Sequence, residues 1–238
     1  MDKEIKKEFA VRVIYIVPKD AEPWGDAKRR ATECLEDIQK FFADEMERLG
    51  YGRKTFDIAR DGKGELIFYQ LNSALTKEEF GINRVKNCIE AARAKGLNNN
   101  DIVVFFYETY DGKVSTQGAR GGEKERGAFL GSLYLKRAKR EWLASDDKYN
   151  GEVLDWRGKK LRDLSGSAIG VIAHELGHSF GLGSNKKRED ENYKINLMGS
   201  GCRRMLGNFR PDLTRKRCLL SNENGALLDR SKFFALRK

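Results

Sequence analysis

Residues 168–182 read AIGVIAHELGHSFGL, and His174 and His178 are the only histidines in 238 residues. This run constrains the fold more than any other. The apolar spacing predicts a helix over residues 165–182. In a helix, residues four apart share one face and lie about one turn apart. His174 and His178 can therefore offer both imidazoles to one ion. Glu175 lies beside them, close enough to meet a metal-bound water without ligating the metal. Two surface histidines would be the plainer reading. The small, apolar lead-in from Ala168 to Ala173 argues instead that this helix is buried, and buried histidines beside a buried glutamate need partners. Zinc suits such a site. It lowers the pKa of its bound water to about 7, and a carboxylate takes the proton as hydroxide attacks a carbonyl.

The rest of the chain supplies a layered domain. Val11 to Val17 (VRVIYIV) reads as a strand. Pro23 to Gly50 carries apolar residues at helical spacing and closes on Gly50. Lys54 to Ile58 and Glu65 to Leu71 are strand-like. Thr76 to Gly96 reads as a second helix, opened by a capping box of Thr76 with Glu79. Asp101 to Tyr107 (DIVVFFY) is the most apolar run and is expected to be a central strand buried on both faces. Residues 117–127 (QGARGGEKERG) form a glycine-rich loop without the GK[ST] ending of a phosphate loop. Ala128 to Leu135 (AFLGSLYL) reads as a strand, and Lys136 to Leu164 as a long connection. After Gly183 the chain is expected to be irregular until a short helix near Asn222 to Arg230. The alternation of strands and helices implies an α/β or α+β domain with a twisted mixed sheet.

The chain has 46 Lys and Arg against 36 Asp and Glu, a net charge of +10. Such a surplus can attract nucleic acid or anionic surfaces. Here the basic residues are scattered and no nucleic-acid-reading motif accompanies them, so a solvated basic surface is the reading. No stretch approaches the roughly 20 apolar residues that span a bilayer. The first residues, MDKEIKKEFAVRVIYIVP, do not form a signal peptide, because their apolar run is short and alternates like a strand. Either the protein is cytosolic or a leader lies outside this chain.

Cys34, Cys88, Cys202 and Cys218 form no CxxC pair, which argues against a structural zinc site. Cys34 and Cys88 fall on apolar helix faces, where a thiol serves as a small hydrophobe. Cys202 and Cys218 flank a loop with few apolar residues and are expected to be joined. By chain entropy a bridge over about 15 residues adds about 3 kcal/mol.

HELGHSFGLG followed by NLMGSG resembles the metzincin clan of zinc metalloproteases, whose members share H-E-x-x-H-x-x-G-x-x-H/D and then a methionine-bearing turn. The close match covers about residues 171–201. The resemblance implies that Gly181 turns the chain out of the helix in a left-handed conformation. It also implies that Met198 underlies the metal, that Glu175 is the general base, and that the substrate is a peptide or protein. It further implies a metzincin-like fold, with an upper part over about residues 1–182 and a small irregular lower part over about residues 183–238. The similarity to secreted bacterial members implies a secreted or extracytoplasmic protein acting as a monomer.

One position departs from the pattern. The clan's third ligand falls on Ser184, whose hydroxyl is a poor zinc ligand at neutral pH. Asn185 is no better. The run KKREDENYK offers Glu189, Asp190 and Glu191, although such a run is more often a solvated loop. Asp190 is named as the candidate carboxylate, with water beside Ser184 as the other filling of that place. Ser200 stands where some members carry a tyrosine, and Tyr193 is a possible substitute. The chain is thus expected to be a zinc endopeptidase with His174 and His178 as ligands. A degenerate binding module of the same fold, with weak or absent metal and no turnover, is the alternative. Ala128 to Leu135 is expected to be the edge strand that aligns an extended peptide.

Overall fold

The protein is described from a computed structural model that covers residues 9–97, 101–108, 119–122, 126–144, 161–184, 191–212, 214 and 216–236. In chain order the strands are β1 (Ala10–Val17), β2 (Lys54–Thr55), β3 (Asp57–Ile58), β4 (Phe68–Asn72), β5 (Ile102–Tyr107), β6 (Ala119–Gly122), β7 (Gly127–Gly131) and β8 (Ala235–Leu236). The helices are α1 (Ala27–Arg48), α2 (Lys77–Ile82), α3 (Arg84–Ala94), α4 (Ser132–Arg137), α5 (Arg140–Ala144), α6 (Leu161–Ser179), α7 (Glu191–Ile195), α8 (Leu206–Phe209) and α9 (Asn222–Asp229), with a 3-10 turn over Ser200–Arg204.

Every residue of β1 and β5 is buried, as expected of parallel strands covered on both faces. The main sheet runs β3-β1-β5-β7-β6, with β4 also on β1. All its pairings are parallel except β6 with β7. Alternation along β1 splits the core. Val11, Val13 and Tyr15 join α1 and α6 on one face. Ile14 and Ile16 join α2 and α3 on the other through Phe80, Cys88 and Ala92. The result is a mixed α/β sandwich of three layers.

An aromatic cluster ties the C-terminus to the first layer. Phe42 of α1 meets Phe56, Phe180 and Phe234 edge-on, and Phe180 also meets Phe234 edge-on. Such pairs add about 0.5–1.5 kcal/mol each beyond area burial. Phe180 immediately follows α6, so the cluster anchors the end of the histidine helix.

Several expectations need correction, among them the long connection from Lys136, which holds α5. The run from Ala128 to Leu135 is not an edge strand: β7 lies between β5 and β6, and from Ser132 the chain is helical. The edge belongs to β6, inside the stretch read as a glycine-rich loop. The helix from Thr76 keeps its capping box but breaks at Asn83, at φ −122 and ψ 37. The segment after Gly183 holds α7, the 3-10 turn and α8 before α9. Finally, Cys202 and Cys218 are free and buried, as are Cys34 and Cys88. The loop between Cys202 and Cys218 is closed another way. The Asn208 side chain donates to the Cys218 carbonyl at 2.9 Å and accepts from its N–H at 2.8 Å.

Candidate metal centre

Helix α6 carries Gly166, Gly170 and Gly177 toward the C-terminal segment. A Cβ on Gly166 would lie 2.7 Å from the Leu206 nitrogen, and one on Gly170 would overlap the Cys202 carbonyl. These glycines let the 3-10 turn and α8 approach the helix backbone directly. Gly177 receives Met198 in the same way, with 2.6 Å from a built Cβ to Sδ. Met198 is buried there, one turn along from His174.

The end of α6 is a Schellman cap. Gly181 has φ +93, as the sequence implied. The Leu182 N–H donates to the Gly177 carbonyl at 2.9 Å, and the Gly181 N–H to the His178 carbonyl at 3.0 Å. The cap brings the Leu182 carbonyl back over the helix, 2.8 Å from His178 Nδ1.

A second turn fixes His174. The Asn196 side chain accepts from the Met198 N–H at 2.8 Å, and its carbonyl accepts from Gly199 and Gly201, both at 3.0 Å. The Leu197 N–H donates to Leu219 at 2.8 Å. This leaves the Leu197 carbonyl facing His174 Nδ1 at 2.7 Å. A carbonyl only accepts, so both Nδ1 atoms carry a proton, and in the neutral imidazole Nε2 is then left with its lone pair. Burial lowers the pKa of His174, against the pull of the Leu197 carbonyl and with a further lowering from His178.

The two Nε2 atoms are 3.1 Å apart, with the rings at 89°. At that distance two neutral imidazoles repel unless a proton or a metal ion lies between them. A tetrahedral ion with bonds of about 2.1 Å sets its donor atoms about 3.4 Å apart, somewhat wider than this pair, so a small opening of the rings would admit a metal. Ser184 Oγ lies 3.4 Å from His178 Nε2. Among the described residues, no group of three His, Cys, Asp or Glu side chains forms a metal site. Asn185, Glu189 and Asp190 lie outside the described residues, and of Glu191 only its place at the start of α7 is described.

Glu175 is buried on α6. Burial pushes the neighbouring Cys202 thiol up to about 11; Arg203 lowers it and Glu175 raises it further. Burial and the charge of Glu175 likewise raise Tyr134. Tyr193 packs its ring and carbonyl on Gly199, beside the methionine turn, and Ser200 opens the 3-10 turn. A groove of about 760 Å3 opens at Ser184, lined among others by Asn192, Asn196, Ser221, Asn222 and Leu227.

The structure thus brings together His174, His178, Ser184, Gly181 and Met198. Sequence reasoning missed the carbonyls of Leu182 and Leu197, which hold the imidazoles, and the roles of Gly177 and Asn196. An Asn two residues before the methionine was a usable signal, since its side chain favours local turns.

No protein-family model matches the chain, and no curated protein matches it. Solved structures do. The chain is similar to OgpA from Akkermansia muciniphila at 21% identity and a TM-score of 0.62, covering 100% of this chain and 65% of that one. A catalytically inactive OgpA, in complex with the O-glycopeptide substrate glycodrosocin, matches at 20% identity and a TM-score of 0.62, over 99% and 64%. Archaemetzincin from Methanopyrus kandleri overlaps more loosely, with a TM-score of 0.41 and 14% identity over 95% and 97%. The likeness to OgpA is one of fold, and the chain spans a little under two thirds of that protein.

Proposed function

We propose that this chain is a zinc-dependent endopeptidase. The observation that carries the reading is the pair of Nε2 atoms 3.1 Å apart, each ring locked through Nδ1 by a carbonyl. Such second contacts fix tautomer and orientation for metal binding. His174 and His178 would hold the zinc, with an oxygen donor from Ser184 or Asp190 beside them. Bound zinc would supply a polarised carbonyl and an acidified water. Glu175, one residue from His174 on the same helix, takes the proton of the attacking water and returns it to the leaving amine. Met198 supports the helix beneath the histidines.

The substrate is a peptide or protein. The shared fold with OgpA, whose inactive form was crystallised with an O-glycopeptide substrate, supports this. The edge strand β6 can align an extended peptide by strand addition. The groove at Ser184 has room for a bulky residue, and its amides and hydroxyls suit a polar one. In this reading the chain is one catalytic unit, with a cleft between about residues 1–182 and 183–238, and it works as a secreted monomer.

The test is metal analysis of protein purified without added zinc, together with hydrolysis of a peptide library before and after chelation. Stoichiometric zinc and chelator-sensitive cleavage are expected. Cleavage that survives complete metal removal would overturn the reading. A binding module without turnover is favoured by one observation, the serine where a stronger third ligand is expected. It predicts peptide binding with no cleavage at any zinc concentration.

A further inference from the structure

We propose that Glu45 and Arg48 of α1, far in sequence from the histidine helix, are positioning residues for His174. Through Leu220, Leu219 and Leu197 they hold the carbonyl that sets its ring. The proposal rests on the metal-centre reading above and names what keeps that centre in shape.

The path of contacts is continuous. Glu45 and Arg48 lie three apart in the last turn of α1, so they share a face. Arg48 donates to the Glu45 carboxylate from Nε at 3.0 Å and from Nη2 at 2.7 Å. Together they grip both backbone groups of Leu220. Its N–H donates to Glu45 Oε2 at 2.7 Å, and its carbonyl accepts from Arg48 Nη2 at 2.8 Å. The neighbouring Leu219 bridges in parallel to Asn196. It donates to the Ile195 carbonyl and accepts from the Leu197 N–H, both at 2.8 Å. Beyond Leu197, the Met198 N–H donates to the Asn196 side chain. The Leu197 carbonyl, fixed on either side, meets His174 Nδ1 at 2.7 Å.

Burial singles out this pair. Glu45 is 5% exposed on the apolar face of α1. A carboxylate is costly to bury without donors, and an apolar side chain would suit that face better. An apolar side chain could not accept from the Leu220 N–H. On the other side of Leu219, Cys218 is held by Asn208, which belongs to the same C-terminal stretch. Glu45 and Arg48 belong instead to α1, whose apolar face shares one core with α6. They therefore tie the Leu197 carbonyl to the body that carries His174. His178 needs no such tie, because the Leu182 carbonyl that holds it belongs to the cap of α6 itself. The two rings thus differ in what orients them.

With only two histidines in the chain, NMR has two imidazoles to distinguish. The measurement is the Nδ1–H signal of each ring in the zinc-free full chain, followed by a zinc titration against a chromophoric chelator. Glu45→Gln keeps an acceptor for Leu220 but loses the charge that orders Arg48. Arg48→Met is the milder variant, since that side chain is 42% exposed. In both, the His174 signal is expected to shift or to exchange faster with water, while the His178 signal stays as in the parent. Zinc binding should weaken by about tenfold, the low end of the cost of losing an outer partner of a ligating histidine. Arg48→Lys, which keeps the charge without the fork, should fall between Arg48→Met and the parent. As a control, Lys54→Met removes a different ion pair to the C-terminal segment, that with Asp229. It should lower the melting temperature and move neither signal. The proposal is overturned if neither ring responds to Glu45→Gln and Arg48→Met, if both rings respond alike, or if both variants bind zinc as tightly as the parent. Failure of the metal-centre reading looks different: the parent itself binds no zinc, and the His174 signal of the zinc-free protein still decides the positioning.

Discussion

Gly177 and Met198 are in contact through the bare backbone of α6, with 2.6 Å between a built Cβ and Sδ. Four residues on from Ala173, one added methyl would push the methionine turn away from the histidines. The same logic is harsher at Gly170, where the obstacle is the Cys202 carbonyl and not the end of a flexible thioether. Gly177→Ala should lose about 1–3 kcal/mol from overpacking, offset by up to about 1 kcal/mol of helix propensity. Gly170→Ala should lose more. Urea midpoints of the two variants give the comparison, and equal midpoints would show that the turn shifts freely.

Gly181 should matter to metal as well as to stability. At φ +93 an alanine is strained, by about 1–2 kcal/mol. The strain falls on the cap that presents the Leu182 carbonyl to His178. Gly181→Ala is therefore expected to lower the melting temperature and weaken zinc binding together. A variant that melts earlier but binds zinc as the parent does would show that the cap does not orient His178.

These relationships also mark what the sequence could reveal. The histidine helix was legible because the i, i+4 pair and the apolar period coincide in one segment. Strands β1 and β5 were legible because burial on both faces demands continuous apolar runs. The helix α4 was not, since AFLGSLYL is apolar across both β7 and α4 and only the extended Gly131 separates them. Strand β6 was hidden by composition, because ARGG has little side chain to show a period of two. The glycine face of α6 needed the chain that packs on it, and that chain, Met198 to Leu206, shows no period that marks it as a partner of the helix.

The buried carboxylate of Glu108 offers a test away from the metal. It accepts from the Tyr15 hydroxyl at 2.8 Å, the Ser132 hydroxyl at 2.8 Å and Lys136 Nζ at 2.7 Å. Glu108 is 5% exposed and Lys136 29%. Lys136→Met leaves the carboxylate without its cation. A fully buried pair would lose about 3–5 kcal/mol; the partial exposure of Lys136 brings the expected loss to about 2 kcal/mol. Glu108→Gln, which keeps an acceptor and removes the charge, should partly restore the Lys136→Met variant. Denaturant melts of the two single variants and the double variant measure the coupling, and strict additivity would mean that the ion pair contributes nothing.

Four buried free thiols make a chemical prediction. Burial raises the pKa of Cys34, Cys88, Cys202 and Cys218, all of them above the usual thiol range. The thiolate is the reactive form. A disulfide-exchange reagent at pH 8 should therefore find almost no reactive thiol in the folded protein and four after unfolding. Two thiols after unfolding without reductant would restore the bridge between Cys202 and Cys218.

The last prediction separates the base from the ligands. Glu175 is buried beside His174, and its side chain shares the surroundings of Tyr134 and Cys202. Glu175→Gln keeps the shape and the hydrogen-bonding reach of the side chain but cannot take a proton. Zinc binding should survive, because the imidazoles remain locked by Leu182 and Leu197. Peptide hydrolysis should fall by at least the 10²–10⁴-fold (roughly) that general-base catalysis supplies. Glu175→Ala should be as inactive, and also less stable through the space it leaves. His174→Ala should lose both zinc and turnover. The measurement is a zinc titration beside a peptide-cleavage rate for each variant. Turnover by Glu175→Gln at the parent's rate would remove Glu175 from the chemistry, and loss of zinc from that variant would make it a ligand instead of the base.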